Sequence, residues 1–80
     1  MKRIGEVVRS AQGVAVVRCR DRSRPEIGTA LVDEQLTAVG KVVDVFGPTT
    51  RPYLALSAEG EPAALLGAAV YSRPGLNDSK

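Results

Sequence analysis

Residues Gly40–Leu56, Gly-Lys-Val-Val-Asp-Val-Phe-Gly-Pro-Thr-Thr-Arg-Pro-Tyr-Leu-Ala-Leu, set a proline-bounded turn between two strand patterns. Val42, Val43 and Val45 are β-branched and favour a pleated, half-buried surface, and Phe46 brings a large apolar ring to the end of that strand. Gly47-Pro48 stops the ladder, because proline has no N–H to donate and fixes its own φ, while the glycine before it permits a sharp reversal. Pro52 repeats the constraint, and Tyr53 then opens a second alternating run through Leu56. A loop pinned by proline at both ends has little entropy to lose when it meets a partner. The segment therefore reads as a recognition loop held by β-structure, with Phe46, Pro48, Arg51, Pro52 and Tyr53 at its centre.

Outward from this turn the same vocabulary recurs. Arg3–Arg9 is a first strand with imperfect alternation, which places Ile4, Glu6 and Val8 on one side and Arg3, Gly5 and Val7 on the other. Ser10–Gly13 supplies turn chemistry, and Val14–Cys19 is β-branched enough to be the second arm of a hairpin. Ile27–Asp33 reads as a third strand, and Leu36–Phe46 as a long one interrupted at Gly40 by a bulge or a barrel corner. Asp44 inside that run is either on the outward pleat or paired with Arg51 across the turn. After a polar break at 58–62, Ala63–Leu66 suggests one helical turn and Ala69–Ser72 a last strand; Arg73–Lys80 has the composition of a flexible tail. Six short strands with almost no helical periodicity predict an all-β fold, a small six-stranded antiparallel β-barrel over residues 1–72 with a tail over 73–80.

Composition narrows the function. A chain of 80 residues builds one small domain and buries only about 60% of its unfolded surface. There is no histidine, the acidic residues are scattered, and no glycine-rich phosphate loop precedes a helix, so neither enzymatic catalysis, a metal centre, a cofactor nor a small-molecule ligand is expected. Cys19 is alone, which fits a reducing cytoplasm, and its neighbours favour a buried apolar role over a nucleophilic one. No signal peptide or membrane span is apparent, so a cytoplasmic protein without a membrane partner is expected. Phe46, Tyr53 and Tyr71 are the only aromatic residues; Phe46 either fills the core or faces a partner.

With 11 Lys and Arg against 9 Asp and Glu, net charge does not mark a nucleic-acid binder, and any RNA contact must be local. Arg18, Arg20, Arg22 and Arg24 recur at every second position, and if the segment stays extended they share a face. That row either grips RNA phosphates or forms a solvated hairpin end whose charges protect an edge. Single-stranded RNA readers interleave aromatic and basic residues. Here the two lie in separate segments, which favours protein docking over direct RNA binding.

The motif G-K-V-V-D-V-F-G-P-x-x-R-P-Y-L-A-L, with Met1–Gly5 at the start and Leu66–Tyr71 at the end, resembles the core domain of the Gar protein family of H/ACA ribonucleoproteins, most of all its archaeal form. The likeness runs from Met1 to about Ser72, and D-V-F-G-P followed closely by P-Y is its specific part. The resemblance implies a six-stranded barrel related to that of translation elongation factors. It also implies a non-catalytic role in guide-directed rRNA pseudouridylation and ribosome biogenesis. The partner would be the dyskerin-type catalytic subunit, the pseudouridine synthase, with guide RNA and substrate rRNA reached indirectly through a mobile synthase loop. Carried over by position, Gly40, Val43, Asp44, Val45, Phe46, Gly47, Pro48, Arg51, Pro52 and Tyr53 match the family pattern, whereas Thr49 departs from its usual apolar residue. The Arg20–Arg24 region is variable in the family, so the resemblance gives those arginines no shared role. A related family of longer assembly factors shares the barrel, and the short chain favours the mature-particle component.

Overall fold

Each strand of the computed structural model, which describes residues 2–22, 24–58 and 60–72, buries one side of its pleat in a common interior. In β2 (Val14–Cys19) Ala15, Val17 and Cys19 point inward, and in β5 (Tyr53–Ala58) Leu54 and Leu56 do, so the period of two read from the sequence holds without a break. β1 (Lys2–Ala11), β3 (Ala30–Val32), β4 (Ala38–Phe46) and β6 (Ala69–Ser72) complete a closed antiparallel barrel in the order β1-β2-β5-β4-β3-β6. The expected all-β, six-stranded barrel is thus the observed fold. Ile4, Val7, Leu31, Val39, Val42 and Val70 fill the interior with the β2 and β5 side chains. Burying each of the larger aliphatic side chains contributes about 1.5–3 kcal/mol.

The expected pleat of the first strand needs correction. Ile4 and Val7 are both buried although three residues apart, while Val8 is 40% exposed. A register shift against β6 between Arg3 and Gly5 accounts for all three, and a second, against β2 between Val7 and Arg9, leaves Arg9 exposed beside Val8. Each inserts an unpaired residue and reverses the phase of the alternation. Between them β1 takes bonds from outside the sheet, with the Val7 N–H donating to the Ala68 carbonyl (2.9 Å) and the Gly67 N–H to the Val7 carbonyl (2.8 Å). The β1–β2 hairpin closes on Gln12 (φ 51) and Gly13 (φ 84), a two-residue turn narrower than the expected Ser10–Gly13.

β3 is also shorter than expected, because Ile27-Gly28 is a turn in which the Thr29 N–H donates to the Glu26 carbonyl (3.0 Å). β4 begins at Ala38 rather than Leu36. Asp33 accounts for the difference: its Oδ1 accepts the N–H groups of Gln35 and Thr37, both at 2.9 Å, and holds Leu36 at φ 66 in a tight turn. The β4 irregularities flank Gly40 rather than fall on it. Val39 is skipped in the pairing with β3 and Val43 in the pairing with β5, and at Gly40 itself a Cβ would collide with the Ser57 carbonyl oxygen.

The expected helical turn is a 3₁₀ turn at Pro62–Leu65 (η1), and Leu65 packs against the core. The expected tail, residues 73–80, lies outside the described residues. No helix among the described residues is long and apolar enough to cross a membrane.

Candidate interface at the barrel rim

The strand registers collect the notable side chains at one rim. Gly5 lies opposite Cys19, Arg18 opposite Tyr53, and Tyr53 opposite Phe46, so the start of β1, the end of β2, the start of β5 and the end of β4 are neighbours. Phe46 and Tyr53 stack with ring centroids 5.7 Å apart and planes 18° from parallel. Phe46 stays 46% exposed, so of the two alternatives for this ring the structure takes the outward one.

The turn between them is held from below. Pro52 is buried, and its carbonyl accepts the Cys19 N–H at 3.0 Å, tying the turn to the end of β2. Gly47 has φ 88, and a Cβ there would lie 2.9 Å from Cδ1 of Tyr53, so only glycine fits both the backbone and the ring. Pro48, Thr49, Thr50 and Arg51 are exposed along the turn. Of the other residues in the anticipated contact set, Val43 is 46% exposed and Asp44 is exposed, whereas Val45 is half-buried against the core. Asp44 occupies the outward pleat and accepts the Val45 N–H at 2.8 Å. Arg51 instead makes a long contact from Nε to the Cys19 carbonyl oxygen (3.5 Å).

The arginine row does not remain one extended face. β2 ends at Cys19, and residues 20–22 bend away. Arg18 and Arg20 line an open depression of about 380 Å³ together with Arg3 and Arg51, while Arg22 and Arg24 are not among its lining residues. The sequence gives no sign that Arg3 and Arg51 join Arg18 and Arg20. Nor does it show the meeting of basic and aromatic residues: a second depression of about 400 Å³ is lined by Arg9, Arg18, Phe46 and Tyr53, with Val8 and Val16 as its apolar wall. Separation along the chain is therefore no argument against RNA, because β2–β5 pairing brings Arg18 beside Tyr53.

Cys19 is buried, as its neighbours suggest. Burial pushes its thiol above the ordinary value, the Asp21 carboxylate adds to the shift, and Arg24 opposes it. Among the described residues no three His, Cys, Asp or Glu side chains gather as a metal site.

No curated protein matches the chain. The family model described as the Gar1/Naf1 RNA binding region matches residues 1–79, all but one residue of the 80. With that match spanning the barrel and its rim, the chain belongs to the Gar1/Naf1 family of RNA binding regions associated with H/ACA ribonucleoproteins.

Proposed function

We propose that this protein is a non-catalytic subunit of an H/ACA ribonucleoprotein that docks on the dyskerin-type pseudouridine synthase. By docking it promotes substrate placement and turnover in guide-directed rRNA pseudouridylation. The observation that carries this reading is the stacked Phe46–Tyr53 pair, left half in solvent on a turn braced by Gly47 and buried Pro52. Aromatic anchors on a rigid support are the residues that dominate protein interfaces. The mechanism is selection: the barrel binds one position of a synthase loop more tightly, and a bias of about 1.4 kcal/mol shifts that loop tenfold.

Calorimetric titration of the protein into purified synthase, without guide RNA, tests the docking. Phe46→Ala and Tyr53→Ala should each weaken it by at least tenfold while the barrel keeps its β-sheet circular dichroism. Native affinity in both variants would overturn the docking surface.

A second reading, direct contact with RNA, draws support from the family's description as an RNA binding region and from Arg18 lying opposite Tyr53 in the sheet. The two readings overlap at Tyr53, so RNA and synthase would compete for that ring if both bind the isolated protein.

A further inference from the structure

We infer that Arg3, Arg18, Arg20 and Arg51 form a site for the phosphodiester backbone of single-stranded RNA. The inference rests on the RNA-contact reading, and its site adjoins the proposed docking turn, with which it shares Arg51. Four arginines, from the start of β1, the end of β2 and the bend after it, and the proline turn, line one open depression of about 380 Å³, with Glu6 the single carboxylate among its described lining residues. The chain as a whole carries a net charge of only +2, so this is a strong local concentration of positive charge. Glu6, opposite Arg18 in the β1–β2 register, offsets only part of this charge, so four arginines gathered here favour the arrival of a further anion.

The main chain holds the cluster ready. The Arg20 N–H donates to the Ile4 carbonyl (3.0 Å), which fixes residue 20 beside the start of β1. Arg51 is steadied through Nε on the Cys19 carbonyl, leaving its two terminal nitrogens to meet a ligand. Gly5 forms part of the wall without a side chain to fill it, and a Cβ there would strike the Arg18 carbonyl. Planar guanidinium forks match the oxygens of a phosphate in pairs.

RNA is favoured over an acidic peptide by what adjoins the depression. Across Arg18 and Val8, which line both hollows, lies the hollow that contains the Phe46–Tyr53 stack. A nucleotide carries both a phosphate for the arginines and a flat face for such rings, whereas a carboxylate side chain carries only the charge.

The test is fluorescence anisotropy of the full chain with a labelled oligouridine between about 50 and 200 mM salt. Arg3→Gln combined with Arg20→Gln should weaken binding at least tenfold and flatten the log–log salt slope by about 1 for each phosphate no longer neutralised. Glu6→Gln removes the carboxylate and should tighten binding severalfold, a gain that misfolding cannot imitate. Arg22→Gln combined with Arg24→Gln should change affinity less than the first pair. If that second pair matters as much or more, or if polyglutamate competes as well as RNA of equal charge, this site is wrong although RNA contact stands. Absence of RNA binding even at low salt overturns both the site and the RNA reading, and leaves docking untouched.

Discussion

Cys19 joins local burial to a property of the whole protein. Its thiol is raised first by desolvation and then by Asp21, against the opposing Arg24. In the unfolded chain a thiol ionises near pH 8.5, roughly. Below that pH both states are protonated and the contribution to stability is complete; above it the unfolded state gives up a proton that the folded state keeps, so stability falls as pH rises towards the folded value. Urea midpoints measured from neutral to alkaline pH should decline for the native chain and decline less for Cys19→Ala. Parallel curves would refute the assignment. Leu36 offers a second single-residue experiment. It sits at φ 66 with its side chain half exposed, a conformation that costs a bulky L-residue about 1–2 kcal/mol. Leu36→Gly should recover part of that strain, on the order of 1 kcal/mol, and raise the melting temperature.

At the scale of elements, the Phe46–Tyr53 turn is the most constrained segment. Gly47→Ala meets both a positive φ and the Tyr53 ring, so it should cost on the order of 1–3 kcal/mol and displace the ring. Synthase affinity should fall further for this variant than for Thr49→Ala, which alters an exposed side chain on the same turn. Legibility from sequence also varies by element, for a physical reason. β2 and β5 are readable because their alternation is unbroken and each is paired with the other in simple register. β1 misleads because its bulges are set by pairing with β6 and β2, and nothing in the run Arg-Ile-Gly-Glu-Val-Val-Arg marks which residue is left unpaired. The proline turn is legible as a rigid recognition loop. The arginine cluster is hidden because Arg51 arrives through the turn before β5 and Arg3 through β1. One clue is available: a tight hairpin at Gln12-Gly13 brings Glu6 opposite Arg18 once the bulge is allowed for, and so draws Arg3 towards Arg20.

For the molecule as a whole, the barrel wall is uneven. β1–β2, β2–β5 and β4–β5 are joined over five or more residue pairs, but among the described residues β3 and β6 meet in register only at Val32 and Tyr71. Closure therefore rests on a narrow seam, while the core behind it stays packed through Leu31 and Val70. Native-state hydrogen exchange should find the amides of β3 and β6 exchanging through local opening at lower free energy than those of β2 and β5. Uniform protection around the barrel would contradict that hierarchy.

The seam also bears on how the molecule is made. β1, the earliest of the six strands in chain order, needs β6, the last of them, as one of its two neighbours, and β6 is also the strand that reaches β3. The β1–β2 hairpin and the β4–β5 pair are local in the chain, but their apolar faces wait for residues 69–72 before the wall is complete. Without β6 the remaining sheet ends in two open edges, β1 and β3, so a chain cut short before Ala69 would offer both to other chains for pairing.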